Sequence, residues 1–392
     1  MSLRDLRNNK KYPSPPPSPT RGEGVFLSPL PQGEGTRGRV KNLKTLSSPE
    51  LEAFLTSLGM KKYRANQVYQ WLYQKGADSF DEMTNLSKEE RHVLNEKAYI
   101  SSLKLVRSQR SSDGTEKYLF ELEDKNRIES VLIPDEDRLT LCISTQVGCA
   151  MGCRFCLTGK GGLKRNLEAY EIVDQVISVR RLLSNPPLIP PLVRGDTGGL
   201  RITNIVLMGM GEPLANYDNT ISALKILLDE KALNFSSRKV TLSTAGLIPQ
   251  MEMLGKEGIT VNLAISLSAV TDEIRNKIMP INKKYPIKEL ISACKRFPLP
   301  KRRRITFEYV MMKGMNDTED DARKLCRLLK GIPCKINLIP FNEYSGCEFK
   351  RPDDATVERF RKVLIGHHLM AIIRKSKGAE ILAACGQLRG SN

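Results

Sequence analysis

Three cysteines, Cys149, Cys153 and Cys156, stand within eight residues at the spacing C-x3-C-x2-C. Thiolates this crowded suit a soft metal centre. A structural zinc site wants four ligands, and the chain has only His92, His367 and His368, all remote from the cysteines in sequence. A distant cysteine could complete such a site, so zinc stays open. Three thiolates on a four-iron cluster instead leave one iron without a protein ligand, and an open coordination position can bind a cofactor. The nine cysteines are an odd number in a chain without an export signal, which argues against a disulfide framework. Cys294, Cys326, Cys334 and Cys347 are assigned to packing or surface, the ordinary place of a free thiol.

The elements that must position these thiols follow from pattern. Strand candidates run over 139–145, 202–209, 239–245, 260–268, 305–312 and 335–341, with helical stretches such as 168–183 and 317–331 between them. Repeated strand–helix units with continuous apolar strands predict a parallel sheet covered by helices. Six units favour an α/β fold of the partial (β/α)6 barrel type over a doubly wound sheet. In barrels of that kind active-site residues gather at strand C-terminal ends, and the cysteine cluster follows the first strand directly. Before the barrel, residues 102–134 alternate around Asp113-Gly114 and Asp124-Lys125-Asn126, which predicts short antiparallel strands serving as a β-hairpin linker. Residues 41–101 read as a small helical accessory domain. In it Ser48 caps a helix that opens on Pro49, and Val68, Trp71 and Leu72 share a core face ending at Gly76. Residues 1–40 are rich in Pro, Gly and Ser, which predicts disorder, and 185–200 repeats that composition as an insert. The catalytic domain spans 135–385, with a C-terminal tail at 386–392.

Composition sets outer limits. Of 392 residues, 40 % are apolar, enough for a substantial core. No run of eighteen apolar residues exists, which argues against a membrane span, and the first residues lack a secretory apolar stretch, so a cytoplasmic location is expected. The net charge of +18 is uneven, with −2 over residues 51–150 and +15 over 151–392. A solvated basic face and a phosphate-backbone partner both fit that excess.

In this setting C-x3-C-x2-C, with Phe155 before the third cysteine, resembles the radical S-adenosylmethionine superfamily. The resemblance implies that Cys149, Cys153 and Cys156 hold a [4Fe-4S] cluster whose open iron chelates S-adenosyl-L-methionine. It also implies that an electron from the cluster cleaves the cofactor to a 5′-deoxyadenosyl radical. Gly209-Met210-Gly211-Glu212-Pro213 resembles the superfamily's GGE-type motif, which holds the cofactor's amino group. The segments TLCISTQVGCAMGCRFCLTG, MGMGEPLANYDN, VTLSTAG, AISLSA, PINKKYPI, CKINLIPFN and AACGQLRG occur in that order. Together they resemble the dual-specificity RNA methyltransferases that methylate adenine C2 in 23S rRNA and tRNA. The likeness runs from Leu43 to Gly390, apart from the insert.

That family implies roles for further residues. Cys385 matches the cysteine that carries a methyl group and becomes covalently linked to RNA. Cys142 matches the resolving cysteine, which forms a transient disulfide with it, and Glu129 matches a glutamate proposed as proton acceptor. Cofactor contacts carry over to Gly211, Glu212, Ser243, Ser266, Leu267, Ser268 and Asn342. Ser268 departs from the family, which usually has histidine there, and its reach is shorter. Two molecules of S-adenosyl-L-methionine are consumed per methylation. The implied partners are 23S rRNA, tRNA and an electron donor such as flavodoxin or ferredoxin, with the protein itself a monomer. Lys283-Lys284, Lys301 to Arg304 and Arg374 to Lys377 are candidate phosphate contacts. Adenine-C8 methylation of the same rRNA, which confers antibiotic resistance, is the runner-up. A non-catalytic zinc-bearing RNA-binding protein is the alternative from another class.

Overall fold

The computed structural model describes residues 40–184 and 201–390. The proline-rich extension, the insert and the last residues of the C-terminal tail lie outside them. Ten strands form one mixed sheet: β1 (Lys104–Arg110), β2 (Glu116–Glu121), β3 (Arg127–Asp135), β4 (Arg138–Cys142), β5 (Asn204–Leu207), β6 (Val240–Thr244), β7 (Asn262–Ser266), β8 (Ile305–Met311), β9 (Cys334–Pro340) and β10 (Ala371–Ile373). From β4 to β10 all neighbours are parallel, and each strand lies beside its sequence neighbour. A doubly wound sheet would reverse order at a switch point. This one never does, so it is a single-wound, open barrel. Each of the six expected strands is present. The seventh, β10, is three residues long and too short to give a periodic signal.

The 102–134 region forms antiparallel strands, as its alternation predicts. β1, β2 and β3 continue the same sheet in antiparallel register, with Val131 of β3 opposite Cys142 of β4. The parallel strands also differ from the continuous apolar runs expected of them. Leu141, Ile205, Leu207, Leu242, Ile265, Phe307, Tyr309 and Leu338 share one face and are all at most 1 % exposed. The other face carries Cys142, Val206, Thr241, Ser243, Ser266, Thr306, Glu308, Lys335 and Asn337. Helices cover the apolar face, so the polar face lines the concave interior. Strands that border a wet interior must alternate, because only one face is packed dry.

The helical module begins with α1 (Ser48–Ser57), and its cap is Ser47, not Ser48. The Ser47 N–H and hydroxyl both donate to the Glu50 carboxylate, which ties the cap residue to the first turn of the helix. α2 (Tyr63–Gln70) runs into a π-turn over Trp71–Lys75 and stops at Gly76, which is left-handed at φ 70°. The wider turn rotates Tyr73 into the core and leaves Trp71 half-buried, with the Lys75 ammonium 3.6 Å from its ring centroid. Trp71 is therefore not the core residue its spacing suggests.

α3 (Lys88–Lys97) completes the module, and α4 (Leu157–Lys160) directly follows the cysteine cluster. α5 (Ala169–Ser184) is the helix to which the module is fastened. Lys44 donates to Asp174 of α5 at 2.6 Å and to the Ser101 carbonyl at 2.7 Å, with both charged side chains at most 2 % exposed. Burial pushes the Asp174 carboxyl up to about 6 against the pull of Lys44. Removing one partner strands the other in a dry site. Lys44→Met is therefore expected to cost about 3 kcal/mol, read from the shift of the urea unfolding midpoint. A shift below about 1 kcal/mol would mean that water replaces the lysine.

Candidate active site

The chain leaves β4 at Cys142 and stays pinned to the neighbouring strand end. Ile143 N–H donates to the Val206 carbonyl, and Thr145 N–H to the Met210 carbonyl. Gln146 then reaches across, its Oε1 accepting from Glu212 N–H at 2.8 Å. Gly211 must be glycine here: its φ is 103°, and a Cβ would lie 2.6 Å from that of Gln146. Gly148 is constrained in the same way by the close approach of the Gly162 carbonyl, which accepts from Cys149 N–H. These two contacts deliver Cys149, Cys153 and Cys156 to the mouth formed by the strand C-terminal ends.

All nine cysteines are free thiols, Cys149 buried and Cys153 and Cys156 half-buried. Burial pushes Cys149 up to about 12 and raises Cys153 as well. Such thiols gain from a cationic iron centre that holds them deprotonated. Among the described residues no three His, Cys, Asp or Glu side chains converge as a single-ion site. Three thiols in one short loop without a fourth protein ligand are what a [4Fe-4S] cluster with one open iron would take. The donor set fits the cluster better than zinc.

Glu212 fits the cofactor's amino group. Its carboxylate is 4 % exposed and accepts from Leu214 N–H and Ala245 N–H. Among the described residues no cation pairs with it. Burial pushes it up to about 7. A carboxyl raised in this way favours folding most below its ordinary value near 4.5, and that contribution fades as pH rises through about 7. A bound ammonium reverses the preference by favouring the ionised form. Affinity for S-adenosyl-L-methionine is therefore expected to fall as pH drops below about 7, by up to about tenfold per unit. Equilibrium dialysis on either side of neutrality reads this, and a flat profile would remove Glu212 from the ammonium site.

The remaining candidates divide. Ser243 donates from Oγ to Glu308 at 3.2 Å, and Ser266 lines the interior. The Ser266 and Leu267 carbonyls accept from Arg275, which is fully buried and also holds the Ala245 carbonyl at 2.8 Å. Arg275 thus sets the shape of two strand ends. Ser268 is fully buried with φ 52°, and its Oγ accepts from Val310 N–H at 3.3 Å, so the hydroxyl is turned into the fold. Asn342 donates to the Cys385 carbonyl at 3.2 Å and accepts from Ser376 Oγ. It steadies the loop that carries Cys385.

Cys385 is open to solvent yet walled by protein. That enclosure, with the nearby Glu308 charge, pushes its thiol up to about 11. Burial raises Cys142 further, and Cys385 lies near enough to add to the effect. The strand next to Cys142 also holds the Cys385 loop, because Glu129 of β3 accepts from Arg389 N–H and Gly390 N–H. Glu129 is not the solvent-facing residue its strand position suggests. It is 4 % exposed, pairs with Lys117 at 3.1 Å, and accepts from Arg389 N–H at 2.7 Å and Gly390 N–H at 3.1 Å.

Glu308, Asn337, Lys335 and Arg275 escape motif reading. Burial raises the Glu308 carboxyl, and its charge bears on both Cys142 and Cys385. A lone charge flanked by apolar residues in ITFEYVM is the signal that marks an inward position. Of the basic runs, Arg303 turns inward to Ser237 and Asn262. Lys301 to Arg304 precede β8, at the opposite strand end from Cys385. Arg374, after β10, stands on the mouth side.

A cysteine loop at the mouth of an open parallel barrel, followed by a glycine-cradled glutamate, defines the radical S-adenosylmethionine class. Residues 196–326 match the Radical SAM superfamily model. Residues 41–100 match the model described as the ribosomal RNA large subunit methyltransferase N-terminal domain. The chain is 55 % identical over 349 residues to the dual-specificity RNA methyltransferase RlmN of Pelobacter propionicus, covering 89 % of this chain and 96 % of the relative. The protein of the same name from Geobacter sulfurreducens is also 55 % identical, over 89 % of this chain and 92 % of its own. The crystal structure of a radical SAM methyltransferase from Sphaerobacter thermophilus superposes with a TM-score of 0.82 at 42 % identity, over 90 % of this chain and 100 % of that one. This chain belongs to the dual-specificity RNA methyltransferase RlmN family.

Proposed function

We propose that this protein methylates carbon 2 of an adenine in 23S rRNA and of an adenine beside the anticodon in tRNA. The observation that carries the reading is the 55 % identity to an RlmN protein over 89 % of the chain, with the Cys385 loop tied to the cysteine loop by Leu157 N–H donating to the Gly386 carbonyl at 2.7 Å and to β3, the strand beside Cys142, through Glu129. Cys149, Cys153 and Cys156 would hold the [4Fe-4S] cluster. Gly211, Glu212, Ser243, Ser266 and Leu267 would hold S-adenosyl-L-methionine. Bound there, the two groups supply the methyl group and the radical chemistry that an electron-poor ring carbon without a lone pair requires.

The chain's own residues do the rest. Cys385 carries the methyl group, whose carbon would bond to adenine C2 once the radical chemistry of the bound groups has removed one of its hydrogens. Cys142 then attacks the Cys385 sulfur, its bond to that carbon breaks, and the methylated product leaves as the two sulfurs become a disulfide. Glu129 takes the C2 proton once its present partners yield. Each methylation consumes two molecules of S-adenosyl-L-methionine. The target base must be unstacked to reach the interior, as loop adenines are or can become. Arg374, Lys375 and Lys283-Lys284 supply phosphate contacts. A flavodoxin or ferredoxin supplies the electron, and the protein works as a cytoplasmic monomer. Among the described residues no helix is long and apolar enough to cross a membrane.

Mass spectrometry of RNA from a strain lacking the gene, and from the same strain with it restored, tests this reading. Loss and return of 2-methyladenosine is expected. Gain of 8-methyladenosine would select adenine C8 instead.

A further inference from the structure

A lysine buried in mid-strand is costly unless something specific uses it. Lys117 of β2 is such a residue, with its side chain 9 % exposed and its ammonium 3.1 Å from Glu129 of β3, itself 5 % exposed. Both sit on the sheet face that bears Cys142: Lys117 is opposite Val131, which is opposite Cys142, and Glu129 lies two residues from Val131. The second contact of Lys117 is with the Leu382 carbonyl at 3.4 Å, three residues before Cys385. The other oxygen of Glu129 holds Arg389 N–H and Gly390 N–H, just after it. One buried ion pair therefore grips the Cys385 loop on both sides.

Exposed residues of the β1–β2 turn fasten the start of the same loop. Asp113 accepts from Gly378 N–H at 2.9 Å, and Glu380 accepts from Ser112 Oγ at 2.6 Å. The antiparallel strands thus act as a cradle for the loop. We propose that the Lys117–Glu129 pair is a clamp fixing Cys385 above Cys142, and that Lys117 is a positioning residue for methyl transfer. The inference rests on Cys385 being the methyl carrier. It also gives Glu129 a task before any proton transfer, because its oxygens are already engaged by the loop and Lys117.

The test compares Lys117→Met, Lys117→Arg and Glu380→Gln in the full-length, cluster-loaded protein. Amide hydrogen exchange of the 386–390 segment and kcat and KM with an RNA stem-loop are measured. Losing a hydrogen-bonded charge partner should speed exchange there roughly tenfold or more in Lys117→Met, with β4 to β9 unchanged. Its kcat should fall at least about tenfold at unchanged KM for RNA, and Lys117→Arg should recover most of both. Glu380→Gln, which changes only an exposed side chain, should lower kcat severalfold.

Tail amides that stay protected in Lys117→Met would overturn the clamp, as would loosened amides with full kcat. If Lys117→Met fails to fold, Glu380→Gln and Lys117→Arg decide. Full kcat in the first together with an inactive but well-protected second would overturn it. A Cys385→Ala protein that still methylates RNA would instead sink the reading of Cys385, whatever the exchange data show.

Discussion

Cys142→Ala is expected to stall with RNA covalently attached, while Cys385→Ala never starts. Cys385 is the solvent-reached thiol of the pair, on a loop held by Asn342, so it can meet both a methyl donor and a base. Cys142 is buried at the end of β4 and can act only on a partner already in place. Without Cys142, Cys385 should still acquire its methyl group and still bond to adenine. Release then fails, and a protein–RNA adduct should survive denaturing electrophoresis. Turnover should fall to background in both variants, but only one should carry RNA. Peptide mapping should find the adduct on Cys385. Normal turnover by Cys142→Ala, or an adduct on another cysteine, would refute the two-thiol scheme.

The second large effect concerns the cluster. Cys153→Ala should lose bound iron, brown colour and all methylation together, since two thiolates hold a four-iron cluster poorly. The fold should survive, because Cys153 is half-buried and its segment is held by backbone contacts: Arg154 N–H to the Ile278 carbonyl at 3.0 Å, and Leu157 N–H to the Gly386 carbonyl at 2.7 Å. Iron analysis after anaerobic purification, beside circular dichroism, separates cluster loss from unfolding. A Cys153→Ala protein that kept its iron and its activity would overturn the ligand assignment.

The radical S-adenosylmethionine class and the direction of the sheet are both legible in the amino-acid sequence. Cysteines at three- and two-residue gaps, GMGEP at a strand end and AACGQLRG near the terminus are local strings, legible without knowing what packs around them. Six strand–helix alternations likewise specify a parallel sheet, since parallel strands need crossovers. Roles that depend on partners far away in the chain come only with packing. Glu129 and Lys117 look like solvent-facing strand residues until the C-terminal loop folds over them. Glu308 looks like an isolated charge until β8 takes its place between β7 and β9. Trp71 gives way to Tyr73 because one π-turn changes the helical phase, which no fixed period can show. Ser268 keeps its place in the motif, but its buried Oγ accepts from Val310 N–H. Motif strings record which side chains are present; whether a carboxylate meets water, an ammonium or a loop amide is set by long-range packing, and sequence spacing carries no record of that.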